Sequence, residues 1–195
     1  MQHAPAAAPA TMSFAEWAAL DTPGELVHGL LVEEEVPDLP HETAVAWLLA
    51  TLRAWALPRS GFVFGSEVKY GLPRNRGRKA DVSAFLPGRP PPPRRGVVMV
   101  APDLCVEVVS RSPSDRRRDR ITKLAEYAEF GVRWYWLLDP EARTLEVLEL
   151  GEGGLYVHAL GATDGTVSEV PGFPGLRLDL DEVWREIDRL GPEEG

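Results

Sequence analysis

The sequence predicts one α/β domain built on a mixed β-sheet flanked by helices. Three observations carry that prediction. The run Leu104-Cys105-Val106 … Val108-Val109 is short, apolar and rich in β-branched residues, as in a strand buried on both faces. Two longer segments, "PHETAVAWLLATLRAWAL" and the stretch from Ser112 to Gly131, place apolar residues at helical spacing. The order of elements is helix, hairpin, helix, strands, helix, strands, helix, with no internal repeat and no long linker.

Each element has a local reason. Ser13 with Glu16 three residues later makes a capping box for a short first helix. "GELVHGLLVEEE" alternates about Gly29 as a small hairpin. The long helix carries Val45, Leu48, Leu49 and Leu52 on one stripe and stops at Pro58. "GFVFGSEVKYGL" reads as one strand, and "KADVSAFLPG" as a shorter one ended by Pro87-Gly88. "GRPPPPRRG" is an extended loop, since consecutive prolines remove backbone donors and clash with a helical turn. A strand from Leu104 to Ser110 follows. The helix after it is closed by Gly131 as a left-handed cap, with Ile121, Leu124, Ala125 and Ala128 as its buried stripe. "VRWYWLLDP" is a strand closed by Asp139-Pro140, "RTLEVLEL" and "GLYVHAL" pair through "GEGG", and "DLDEVWREIDRL" is a terminal helix. Residues 1–12, Ala/Pro-rich without a basic or long apolar segment, read as a disordered leader; 13–190 form the single domain and 191–195 a tail.

The 195-residue chain is 44% apolar and 26% charged, ordinary for a soluble domain with its own core. Cys105 is its only cysteine, which excludes a disulfide framework and a cysteine zinc site; its apolar strand makes it a small core residue, and a cytoplasmic setting is expected. No apolar stretch is long enough to span a bilayer. A net charge of −9 argues against a protein that coats nucleic acid generally, yet the charge is unevenly placed. From Arg74 to Lys123 thirteen Lys/Arg stand against five Asp/Glu, a local +8 that leaves −17 for the remainder. Those cations are either solubilising loops or a basic lip that contacts phosphates.

Three polar residues interrupt or end apolar elements. Asp81 opens one strand, Glu107 sits inside the next, and Lys123 lies on the helix that follows. An ionised Glu in a buried strand is costly without a partner, so a cation, a metal or an opening to water has to be near Glu107. Two carboxylates at one sheet end repel unless a divalent cation neutralises them, and hard oxygen ligands suit Mg²⁺ or Mn²⁺. Lysine is scarce beside eighteen arginines, with only Lys69, Lys79 and Lys123. At about 100° per residue Lys123 and Tyr127 share the helix flank with Arg116 and Arg120, a placement that suits both a cleft and a solvent-facing lysine.

The run "PDLCVEVVSRSPSDRRRDRITKLAEYAEFGVRWYWLLDPEARTLEVLEL" resembles the Uma2 family of restriction endonucleases, with E-V-x-S, then P-S, D-R-x-x-K-x-x-x-Y, G-V and Y-W-x-x-D-P. "GELVHGLLV", "PHE" and "GLRLDLDEVW" agree, and the likeness extends from Phe14 to Leu190. It implies the PD-(D/E)xK nuclease superfamily, a restriction-endonuclease-like core, and a homodimer. The implied site is Asp81 and Glu107 as metal ligands with Lys123 beside them. In the parent motif the lysine stands two residues after the glutamate, where this chain has Val109; Lys123 matches members in which it lies on the next helix. Ala80 replaces the motif's proline.

His41 is a further candidate for positioning water or phosphate, and Glu25 for completing the acidic cluster, although each also reads as an ordinary helix-terminal or solvent-facing residue. Tyr127 reads as packing that orients the lysine. Trp134, Tyr135 and Trp136 read as core and dimer surface rather than a base-stacking platform, and Asp139 as structural. The expected function is a Mg²⁺- or Mn²⁺-dependent endonuclease that hydrolyses phosphodiester bonds, in DNA ahead of RNA. The alternatives are a non-catalytic nucleic-acid- or protein-binding module on a nuclease-like fold, which the acidic net charge favours, and an oligomeric scaffold joined through the aromatic strand.

Overall fold

The computed structural model describes residues 11–33 and 36–192, so nearly all of the expected leader and the last three tail residues lie outside it. Among the described residues a six-stranded sheet forms the centre, in the order β10-β9-β8-β7-β6-β3. Its strands are β3 (Phe62–Gly65), β6 (Val82–Phe85), β7 (Leu104–Val108), β8 (Trp134–Asp139), β9 (Thr144–Leu150) and β10 (Tyr156–Ala162). β7 and β8 run parallel, joined by a helical crossover, and the other neighbours antiparallel, with short turns between β8, β9 and β10 and longer connections from β3 to β6 and from β6 to β7. The mixed sheet expected from the sequence is what forms.

Helices α2 (Leu39–Ala56) and α5 (Leu180–Asp188) cover one face of this sheet. Leu104, Val106 and Val108 of β7, and Trp134 and Trp136 of β8, pack there with Leu48, Leu52, Phe173 and Val183. The opposite face carries Cys105, Val109, Tyr135 and Leu137 against Tyr70 and Tyr127. Glu107 occupies the slot on this second face between Cys105 and Val109, as the twofold alternation of a strand requires. The aromatic strand is buried on both faces, so Trp134, Tyr135 and Trp136 are core residues and offer no surface to a second copy.

A smaller sheet, β2-β1-β5-β4, leans on the second face. Its strands are β1 (Glu25–Val27), β2 (Leu30–Val32), β4 (Tyr70–Leu72) and β5 (Arg76–Arg78). The expected hairpin is β1–β2, turned at His28 and Gly29, both with positive φ. "GFVFGSEVKYGL" is not one strand: Ser66–Lys69 break it, and its halves enter different sheets. Arg76–Arg78, read from the sequence only as part of a basic stretch, is a buried strand. The last two residues of the expected leader are held, Met12 donating its N–H to the Gly29 carbonyl at 2.7 Å. A two-stranded ribbon of β11 (Thr166–Val167) and β12 (Leu178–Asp179) precedes α5.

The helix after β7 departs most from expectation. It comprises α3 (Pro113–Arg117), a π-helical stretch Arg118–Lys123, and α4 (Leu124–Phe130), ended by Gly131 in the left-handed conformation. The buried residues are Asp119, Lys123, Glu126 and Tyr127, while Ile121 and Ala125 are exposed. The expected stripe of Ile121, Leu124, Ala125 and Ala128 assumed a uniform 3.6-residue period and an apolar partner. The wider π turns shift the register, and the surface below is lined with charges. No helix among the described residues is long and apolar enough to cross a membrane.

The first helix, α1 (Phe14–Ala18), forms with both hydrogen bonds of its capping box. Its Trp17 lies on Gly77 of β5, where an added Cβ would come within 2.5 Å of the indole ring. Gly77→Ala should therefore cost about 1–3 kcal/mol in urea unfolding, the usual cost of overpacking. A loss indistinguishable from zero would mean that α1 does not clamp the small sheet.

Candidate active site

Asp81, Glu107, Lys123 and His41, placed far apart in the sequence, line one cleft of about 330 Å³. The pairing of β6 with β7 sets Val82 opposite Val106, so the next step outward sets Asp81 opposite Glu107. Like charges in such a cross-strand position repel unless something neutralises them. Asp81 Oδ2 accepts the backbone N–H of Val108 at 2.7 Å and lies 3.3 Å from His41 Nε2. His41 is in the first turn of α2, whose cap is Asp38, and the rise of that helix over β6 brings it to the strand's start.

Glu107 is 2% exposed, and both of its carboxylate oxygens are engaged. Lys123 Nζ donates to Oε2 at 2.8 Å, and the Tyr127 hydroxyl donates to Oε1 at 2.8 Å. Tyr127 therefore orients the glutamate, not the lysine. The basic partner that a buried strand glutamate requires comes from the π-helical turn, four residues before Tyr127. Val109, at the parent motif's lysine position, is buried in apolar surroundings, so the ammonium has to enter from the helix.

Two acids that were weak or absent candidates complete the cluster. Glu25 is 4% exposed, not solvent-facing; its Oε1 accepts the Lys79 N–H at 2.9 Å and lies 3.6 Å from Lys123 Nζ. Asp119, also buried, has Oδ1 3.6 Å from Lys123 and no hydrogen-bond partner for that atom among the described residues. The spacing of Asp119 and Lys123, four residues apart on one helix, was the signal available in the sequence. Lys123 thus stands among three carboxylates.

A buried ion chain fixes Glu25 in turn. Arg78 Nη1 donates to Glu25 at 2.7 Å and its Nε to Glu126 at 2.6 Å; Glu126 lies 3.3 Å from Arg76, and Arg76 pairs with Glu129. Arg76 and Arg78 share a face of β5, while Glu126 and Glu129 are one turn apart on α4. Strand and helix periods interlock cation with carboxylate. Two members of the expected basic lip are therefore internal, and Arg116 and Arg120 are paired with Glu141, Glu146 and Asp139. Asp139 also accepts the Ala142 N–H at its turn, the structural role expected of it.

The charges in the cleft do not balance. Burial pushes the Glu107 carboxyl well above the usual range; Lys123 opposes this, but Asp81, Asp119 and Glu25 reinforce it. Asp119 is raised for the same reasons, burial first. Burial would also raise Glu25, yet Lys123 and Arg78 hold it below the ordinary value. Lys123 is kept an ammonium: burial disfavours its charge, and Glu107, Glu25 and Asp119 outweigh burial. This excess of carboxylate is what a divalent cation would relieve. Among the described residues no three metal-ligating side chains converge. The donor set fits an ion such as Mg²⁺, which takes one or two protein carboxylates and completes its shell with water and phosphate.

Arg78→Ala would leave Glu25 and Glu126 buried without their shared cation, and urea unfolding should register a loss of about 3–5 kcal/mol. Burial lowers the His41 pKa, but the hydrogen bond and charge of Asp81, with Glu42 and Asp38, lift it above 6.5. The stabilisation from this pair is complete below the ordinary pKa and is lost as pH rises through the folded value. NMR titration of His41 should give a midpoint above 6.5, falling in Asp81→Asn. The same midpoint in both chains would break the pairing.

Comparison with known proteins gives the family and the fold. The model of the Uma2 family, described as "Putative restriction endonuclease", matches residues 13–181. The crystal structure of a protein from Anabaena variabilis, described as a putative nuclease belonging to DUF820, superposes with a TM-score of 0.70 at 19% identity. The alignment covers 90% of this chain and 99% of that one, and shows that the two share a fold. No curated protein matches the chain. With the strand-borne E-V-x-S and the helix-borne D-R-x-x-K lying inside the matched span, the chain belongs to the Uma2 family.

Proposed function

We propose that the protein is a metal-dependent endonuclease that hydrolyses phosphodiester bonds, with DNA as its substrate. The observation that carries this reading is the convergence of Asp81, Glu107 and Lys123 on one cleft with a surplus of negative charge. The family's description as a restriction endonuclease supports DNA over RNA. Asp81 and Glu107 would hold Mg²⁺ or Mn²⁺. When bound, the ion polarises a phosphoryl oxygen and lowers the pKa of a water for attack.

The chain's own residues supply the remainder. Lys123, kept protonated by its carboxylate neighbours, acts as a fixed positive charge toward the pentavalent transition state rather than as a proton acceptor. Glu25 and Asp119 keep that ammonium at the cleft when Glu107 turns to another partner. His41 and the Val108 N–H fix the Asp81 carboxylate, and Tyr127 fixes Glu107. Preorganisation of this kind spares the reaction the cost of aligning charges as it proceeds. A homodimer, implied by resemblance to the family, and a cytoplasmic location belong to the same reading.

A binding module without chemistry is the second reading. It is favoured by the engagement of both Glu107 oxygens by Lys123 and Tyr127, which leaves a metal to compete with a buried ion pair.

Asp81→Asn and Glu107→Gln separate the two. Calorimetric titration of Mn²⁺ should show saturable binding to the wild type that each substitution weakens about tenfold or more, and nicking of plasmid DNA should disappear in both. Binding and nicking that survive both substitutions would remove the metal from these carboxylates. A wild type that neither binds Mn²⁺ nor nicks DNA would leave the binding module.

A further inference from the structure

We infer that a second cleft, next to the acidic one, is a nucleotide subsite: Arg94 and Arg95 take backbone phosphates of the strand flanking the scissile bond, and Phe64 takes a base. The inference rests on the nuclease reading for its occupant, and on four observations for its place.

The first is continuity. The second cleft, about 640 Å³, shares Glu67 and Lys79 with the acidic cleft, so the two open into one groove. A strand held at Asp81 and Glu107 has this groove as a path across the surface.

The second is a change in polarity along it. Carboxylates dominate the first cleft, whereas the walls of the second carry Lys69, Lys79, Arg94 and Arg95 against Asp21 and Glu67. A phosphate is repelled where a metal would sit and attracted one step away. Lys69 is a fixed ammonium, its Nζ donating to the carbonyls of Trp17 and Leu20 at 2.8 and 2.9 Å.

The third is the state of the arginines. Arg76 and Arg78, in the same basic half of the chain, are committed to carboxylates inside the fold, and Arg116 and Arg120 to carboxylates at its surface. Arg94 and Arg95 are exposed and have no ion pair among the described residues. They follow four consecutive prolines, whose locked φ stiffens the wall. The far end of the loop is tied down, Val98 donating to the Lys69 carbonyl at 2.8 Å and accepting from the Gly71 N–H at 3.0 Å. A stiff loop that presents two guanidiniums loses little entropy when phosphates arrive.

The fourth is the ring. Phe64 is half-buried, stacked at 6.3 Å on Phe62 and held edge-on at 6.3 Å by Phe85. A ring immobilised in this way at a groove wall is a sequence-tolerant platform for a base. Phosphate-binding cations and an aromatic platform in one groove match an unpaired nucleotide better than a peptide or a lipid.

The test is fluorescence anisotropy with a labelled single-stranded oligonucleotide about 12 nucleotides long, in Ca²⁺ buffer, titrated with the full chain and with R94E/R95E. The double variant should bind about tenfold more weakly or worse, with a salt slope smaller by about 1.4, the value for two lost phosphate contacts. Both substitutions lie at exposed positions, and circular dichroism checks that the variant folds. Unchanged affinity and slope, no binding by the wild type, or equal displacement by an acidic peptide would overturn the subsite. Plasmid nicking with unaltered affinity in R94E/R95E would reject the subsite and keep the nuclease. Binding that needs Arg94 and Arg95, from a chain that never cleaves, would keep the subsite and reject the nuclease.

Discussion

The contact between Lys123 and Glu107 is the constraint around which the rest of the molecule is arranged. A carboxylate in the middle of a central strand is tolerable only with a cation in contact, and the strand itself has no room for one. The neighbours on the same face are Cys105 and Val109, both in apolar packing. The cation must therefore descend from the covering helix. That helix runs in π form from Arg118 to Lys123, and it buries a polar stripe where an apolar one would be expected. π turns recur at functional sites because they spend regular hydrogen bonding to aim a side chain. Here the side chain aimed is Lys123.

The need for compensation propagates outward. Lys123 is shared among Glu107, Glu25 and Asp119, so each of those carboxylates needs further support. For Glu25 the support is Arg78, which is shared with Glu126, which leads to Arg76 and Glu129. The small sheet is thereby locked to α4 through charge as well as through the apolar contact of Tyr70 and Leu72 with Tyr127. Replacing such a network by hydrocarbon would often be neutral for stability, so its presence points to a role other than holding the fold together. A surplus of carboxylate beside a constrained ammonium suits a site that meets a divalent cation and a phosphate.

The distribution of basic residues acquires a different meaning in three dimensions. One set of arginines is internal wiring, and another set ties α3 and the π turn to the turn after β8. Those left at the surface of the second cleft stand beside an aromatic ring and a stiff proline loop. The molecule is acidic as a whole, yet it offers cations at the groove that continues from its candidate centre.

Much of this was legible in the amino-acid order. Short-range signals were read correctly: the capping box at Ser13, the turn at Gly29, the left-handed cap at Gly131 and the "GEGG" hairpin each depend on a few adjacent residues. Glu107 was conspicuous because it violates the apolar pattern, Asp81 because it opens the preceding strand, and Lys123 because it lies on the helix that follows and matches the family's motif. Tertiary structure decided what depends on pairing across the chain. It made Arg76–Arg78 a buried strand, since a cation's burial cost vanishes only when its carboxylates come from elsewhere. It broke "GFVFGSEVKYGL" between two sheets, for local propensity does not say which edge a strand will join. It turned Glu25, Asp119 and Tyr127 inward, because the face a residue presents depends on what the partner element offers. A sequence specifies where a charge interrupts a pattern; only the folded chain specifies which opposite charge answers it.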